Sequence, residues 1–260
     1  MYHFSVSQEQ LWLALQVHAF VQERLPFVPP VVQKAQVAAI LNVSPSLSMT
    51  FSEVLHKQYP DASITLHLPQ GEVLDLVRQQ IGEEPQFQSI PSLDYHCRSY
   101  DFIHLQLMAL FLKEPELCVQ LSELMTRLRP GGFLVWTEVV GLQSTSPQLT
   151  RWCQLLEEAR RYRGYIANRV CLGTMTNDFA QMRIQKEIYA LECQHTYERY
   201  LLFTWLSQLL PLANPFISAT SVATYDEVHK LCETFLQELK QEQWVAALTV
   251  ERYVFQRRER

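Results

Sequence analysis

Short apolar runs alternate with longer amphipathic stretches from residue 37 to residue 255, and this alternation limits the fold more than any other feature of the chain. Val37 to Val43, Ser63 to Leu68, Tyr100 to Gln106, Phe133 to Val140, Arg183 to Cys193 and Val245 to Phe255 read as strands, with a shorter one at Gln86 to Ile90. Helical spacing is expected at Thr50 to Tyr59, Gly71 to Ile81, Glu116 to Leu128, Gln148 to Tyr162, Tyr197 to Leu210 and Asp226 to Lys240. Arg129-Pro130-Gly131-Gly132 reads as a tight turn that stops the third of these helices. Strands that are almost continuously apolar are buried on both faces. Alternating with helices, they predict βαβ units in a doubly wound, mostly parallel α/β sheet of seven strands. Ligands of such sheets lie at the carboxyl ends of the strands, where strand order reverses. The residues after Val43, Leu68, Gln106 and Val140 are therefore the ones to inspect.

Residues 1–35 read as an N-terminal helix over 7–24 (Ser7 as N-cap, Leu11, Leu15, His18 and Phe20 on the apolar face) and a connection stiffened by Pro26, Pro29 and Pro30. Residues 36–257 form the main domain, and 258–260 end a small basic tail. The net charge of -5 gives no basis for a nucleic-acid partner, and no apolar run is long enough for a membrane span. The start of the chain lacks a secretory pattern. Six scattered cysteines with no C-x-x-C pair fit free thiols in a cytoplasmic protein. No histidine pair has metal-ligand spacing, so no metal is expected.

Three stretches carry a resemblance. Tyr100-Asp101-Phe102-Ile103-His104 is similar to the aspartate-led strand of class I S-adenosylmethionine-dependent methyltransferases. Leu128-Arg129-Pro130-Gly131-Gly132-Phe133-Leu134 resembles that family's helix stop and fifth strand. Gln36 to Pro69 has the rhythm of its first βαβ unit. The resemblance implies a Rossmann-like fold with a helical lid, here at about 148–182 and 197–241, as in members that act on small molecules.

The same resemblance exposes departures. The family's loop after strand one reads acid-x-Gly-x-Gly-x-Gly, and this chain has Asn42, Ser44, Ser46 and Ser48 there, with Pro45 between. Glycine tolerates positive φ and lets the backbone approach a ligand; serine does neither as well. The chain has seven glycines and none before Gly71. His67 stands where the second strand should end in an acid that binds both ribose hydroxyls. A neutral imidazole has one acceptor nitrogen. Gln86 and Gln88 occupy the region of the family's third acid. Each lost charge-assisted hydrogen bond costs roughly 1.5–3 kcal/mol. Together with steric intrusion, these losses predict a cofactor site that no longer binds S-adenosylmethionine, and hence no cofactor.

His104 and Glu138, near the ends of two central strands, are candidate catalytic residues: a general acid/base pair if they lie together, or a core polar group and a capping acid if they do not. Trp136, Tyr165, Arg169, Tyr197 and Tyr200 are candidates for binding a small hydrophobic ligand. The aromatics and arginines of the lid region also suit a subunit interface, leaving homo- or hetero-dimerisation open. Three functions follow. The first is a cofactor-independent enzyme that shapes one small hydrophobic substrate for cyclisation or rearrangement. The second is a small-molecule methyltransferase that uses S-adenosylmethionine through an atypical loop. The third is a non-catalytic partner of an active homologue.

Overall fold

The computed structural model describes residues 28–43, 49–67, 87–90, 99–110, 112–165, 182–241 and 244–259, together with Val21, Arg24 and Leu25. The helices expected at 7–24 and 71–81 lie outside the described residues, as do Ser44, Ser46, Ser48 and Arg169.

The strands are β1 (Ala39–Val43), β2 (Ser63–His67), β3 (Phe87–Ile90), β4 (Tyr100–Gln106), β5 (Leu128–Ser144), β6 (Met182–Cys193) and β7 (Ala246–Arg257). The described helices are α1 (Pro30–Gln33), α2 (Met49–Gln58), α3 (Glu114–Thr126), α4 (Pro147–Tyr162), α5 (Thr196–Ser218) and α6 (Tyr225–Leu239), with a 3-10 turn at Met108–Leu110. The seven strands form one sheet in the order β3-β2-β1-β4-β5-β7-β6. β3, β2, β1, β4 and β5 run parallel. Tyr253 packs against Trp136, and the Arg257 guanidinium donates to the Leu128 carbonyl, so β7 runs against β5. The chain lays down β1, β2 and β3 outward, then returns to β4 on the other side of β1. That return is the topological switch point, where ligands of such sheets bind.

The chain divides into two compact units. The first comprises Met1–Glu138, Cys171–Glu187 and Arg252–Arg260. Its core is the sheet interior, with Ile40, Leu41, Ile64, Phe102, Ile103, Leu134 and Val135 fully buried. The amino ends of β1 and β4 are tied by Asp101, whose Oδ2 accepts from the backbone N–H groups of Ala38 and Ala39, each at 2.9 Å. Arg129 completes the clamp at 3.0 Å. The aspartate that opens the fourth strand is thus a fastener at the edge away from the switch point.

The second unit comprises Val139–Val170 and Ile188–Glu251, and in it α4, α5 and α6 pack on one another. Ser146 caps α4 by accepting from the Leu149 N–H at 3.0 Å, and Pro147 occupies the first turn, where its missing N–H costs nothing. The interior is held by Trp152, whose Nε1 donates to Asn214 Oδ1 at 3.0 Å and whose ring meets Phe235.

Two expectations need correction. Arg129 to Gly132 is not a free turn but the opening of β5. Tyr100 pairs with Leu128 and Phe102 with Phe133, so the four residues bulge out of register against β4. Gly131 sits at φ 79°, and a Cβ on Gly132 would lie 2.9 Å from the Arg129 carbonyl and 3.0 Å from that of Asp101. The proline-glycine chemistry is real, but it serves the bulge. Second, the helix expected to end at Leu210 runs on to Ser218 through Pro211 and Pro215. Both prolines lie on the exposed side, while Leu206, Leu210, Ala213 and Ile217 continue the buried stripe. Packing of that stripe offsets the helix penalty of proline.

Candidate functional site

Over half of the buried polar and charged side chains among the described residues gather at one edge of the sheet: Asn42, Thr65, His67, His104, Gln106, Thr137 and Glu138. They occupy the last three positions of β1, β2 and β4 and the stretch of β5 beside them. The other positions near these strand ends are apolar.

Strand alternation sorts these residues onto two faces. Asn42 pairs with His104, and Gln106 with Thr137, which puts all four on one face with Ile40, Phe102 and Val135. His67 pairs with Val43, Val43 with Leu105, and Leu105 with Trp136, so His67, Trp136 and Glu138 belong to the other face.

On the first face, His104 Nδ1 and Asn42 Oδ1 are 3.0 Å apart, and both side chains are buried. An amide oxygen only accepts, so the ring nitrogen donates. The bond fixes the tautomer of His104, with hydrogen on Nδ1, and turns the Asn42 amide so that its NH2 group points away from the ring. The pair lies at the β1–β4 junction, which is the switch point.

On the second face, Glu138 Oε1 accepts from Trp136 Nε1 at 2.6 Å and from the backbone N–H of Ala109 at 2.9 Å. Trp136 is fully buried, its ring 5.4 Å from that of Tyr253. Packing and the bond to Glu138 account for it, and it is no exposed ligand platform. Beyond β4 the chain turns through Leu107, a buried residue at φ 56°, whose N–H donates to the Thr137 carbonyl at 2.9 Å.

The acid/base pairing of His104 with Glu138 does not form. His104 lies near the end of β4, but Glu138 lies inside β5, which runs on to Ser144, and their positions have opposite parity, so the sheet separates them. His104 is brought together with Asn42 instead. The signal for that pair was present in the sequence as one polar residue near the end of each of two apolar strands. Glu138's partners were not legible, because one is a backbone N–H. His67 is buried at the end of β2, in the position that the resemblance assigns to a ribose-binding acid. In the second unit, Tyr165 meets Phe216 edge-on at 6.0 Å, while Tyr197 and Tyr200 are exposed on α5.

Two thiols of the second unit are chemically quiet. Burial and the neighbouring Glu157 push Cys153 up to about 12. Burial pushes Cys232 up to about 11, against the lowering hydrogen bond to Asn214. Cys118, Cys153, Cys193 and Cys232 are thiols and not part of a disulfide. Among the described residues no helix is long and apolar enough to cross a membrane.

Five parallel strands with the switch between β1 and β4, and a β7 inserted antiparallel between β5 and β6, decide the architecture. The chain carries the class I methyltransferase fold. No protein-family model and no curated protein matches the sequence. Solved structures do. The N-methyltransferase NodS from Bradyrhizobium japonicum, in complex with S-adenosylhomocysteine, is 10% identical with a TM-score of 0.47, over 98% of this chain and 94% of that one. The plantazolicin methyltransferase BpumL, also in complex with S-adenosylhomocysteine, is 11% identical with a TM-score of 0.47, over 96% and 85%. The YcgJ protein from Bacillus subtilis is 12% identical with a TM-score of 0.48, over 88% and 96%.

The expectation of no cofactor is overturned here: chains of this fold to which the protein is similar hold S-adenosylhomocysteine. The substitutions at Asn42 and His67 change the chemistry of two positions in the strand ends and leave the fold intact.

Proposed function

We propose that this methyltransferase-fold protein binds S-adenosylmethionine at the carboxyl edge of β1, β2 and β4 and transfers its methyl group to a small molecule. The observation that supports this reading is the gathering of buried polar side chains at the switch point, on strands that are otherwise apolar. Polar groups are rare inside apolar strands, and their concentration at the carboxyl edge of the switch point supports a polar ligand there.

The residues present fit such a cofactor through neutral hydrogen bonds. Asn42, oriented by His104, offers its amide NH2 group, and His67 offers an imidazole nitrogen. Neither supplies the charge pairing of a carboxylate, so at these two positions the ligand would be held by hydrogen bonds. The cofactor's contribution is an electrophilic methyl group on sulfur. His104 acts by holding Asn42 in place, with its own Nδ1 hydrogen committed to that bond. The cofactor-independent rearrangement enzyme expected first from the sequence finds less support than this reading.

Calorimetric titration of the full chain with S-adenosylmethionine and S-adenosylhomocysteine tests the proposal. Micromolar binding is expected. The absence of heat up to millimolar ligand would overturn it.

A further inference from the structure

We infer that Glu138 is a positioning residue: its buried carboxylate sets the backbone of the connection that leaves β4, beside the proposed cofactor site. The inference deepens the cofactor-binding reading and rests on it for its functional consequence. Leu107, the first residue past β4, has φ 56° with its side chain 1% exposed. That region is unfavourable for a leucine, and such strain persists only where the surroundings over-determine it. The determinants are on the page. The Leu107 N–H is tied to the Thr137 carbonyl at 2.9 Å, and two residues later the Ala109 N–H is tied to Glu138 Oε1 at the same distance. The Leu112 N–H closes the turn on the Met108 carbonyl at 3.0 Å, and Lys113 opens α3 with its N–H on Glu116.

Glu138 itself is held rigidly. Its carboxylate is 1% exposed, Trp136 Nε1 donates to the same oxygen at 2.6 Å, and the Trp136 ring is wedged against Tyr253. The Glu138 oxygen in this place acts as a fixed acceptor for a backbone donor. It lies on the opposite face from Asn42 and His104, so it reaches the switch point only through the 107–112 backbone. The connection begins directly after Gln106, three residues past His104.

The test is amide hydrogen exchange, resolved at 107–112, on the wild-type chain, Glu138→Gln and Glu138→Leu, with S-adenosylhomocysteine titrated into each. Glu138→Leu is expected to speed exchange of the Ala109 amide roughly 5- to 150-fold, the range for leaving a buried donor without its acceptor. Protection in β1 and β2 stays, and affinity for S-adenosylhomocysteine falls in step with the Ala109 amide. Glu138→Gln, which keeps an acceptor oxygen, lies between, and it carries the test if the leucine variant does not fold. Unchanged exchange at Ala109 overturns the inference, and so does a uniform loss across the sheet, which would make Glu138 a general stability residue. A wild-type chain that binds no S-adenosylhomocysteine would sink the cofactor reading, while the exchange at Ala109 would still decide the role of Glu138.

Discussion

Asn42 and His104 are only 6% and 3% exposed and share a 3.0 Å hydrogen bond, so removing either partner alone strands the other. His104→Leu leaves the Asn42 oxygen buried with its donor gone, which costs about 1–3 kcal/mol. Asn42→Leu strands the His104 N–H at a similar cost. The double variant replaces both partners with apolar groups on one face, next to Phe102, Ile40 and Leu66, and such a replacement can be nearly neutral. A double-mutant cycle should therefore show a favourable coupling of about 1–3 kcal/mol. In a chain of this size each kcal/mol also moves the thermal midpoint by roughly 2–4 °C. The assay is urea denaturation of the four proteins, read as midpoint shifts with unchanged slope. Additivity of the two single changes within about 0.5 kcal/mol would refute the pair as described. The cycle also separates structure from function. The double variant is expected to recover stability and still lose S-adenosylhomocysteine binding, because the amide proposed to meet the ligand is gone.

Gly132→Ala forces a Cβ against two backbone carbonyls and should cost about 1–3 kcal/mol in a denaturation midpoint, more than Gly131→Ala, where the penalty is the positive φ and a 3.2 Å approach to the yielding Glu259 side chain. Thr224 caps α6 by accepting from the Glu227 N–H, and Glu227 returns the bond to the Thr224 N–H, so Thr224→Ala should lower stability by about 1 kcal/mol by the same measurement. Cys153 is raised from 9.0 to about 12, so the folded protein keeps a proton that the unfolded chain gives up. Its contribution is complete below pH 9 and is lost as pH rises from there towards 12, so a pH series of melting temperatures should fall more steeply above pH 9 for the wild type than for Cys153→Ala. The same elevation predicts slow alkylation of Cys153 at neutral pH, checked by mass spectrometry of iodoacetamide-treated folded protein.

The sheet was legible because its strands are near-continuous apolar runs separated by helical periodicity. Tyr100 to Gln106 and the start of β2 match the expected bounds, since period and composition agree there. The bulge at Arg129 to Gly132 was not legible: proline and glycine mark an irregular backbone but do not say whether it lies in a loop or inside a strand. The run of α5 through Pro211 and Pro215 was hidden for a related reason, because the burial that outweighs two prolines is tertiary. The site was half legible. Asn42, His67, His104 and Glu138 each stood out as polar residues near expected strand ends, and all four are buried, although β5 runs six residues beyond Glu138. Which of them meet depends on register and parity across non-adjacent segments. That information separated His104 from Glu138 and joined His104 to Asn42. The hub made by Glu138 and the Ala109 N–H had no sequence signal, because backbone donors carry none.

The central claim is that a cofactor lies over the carboxyl ends of β1, β2 and β4. A crystal structure of the chain grown with S-adenosylhomocysteine tests it most directly. The account predicts the nucleoside at the β1–β4 switch point, with the Asn42 amide nitrogen within hydrogen-bonding distance and the His104–Asn42 bond intact. Ligand bound elsewhere, or an edge closed by its own side chains with no ligand density at saturating concentration, would contradict it.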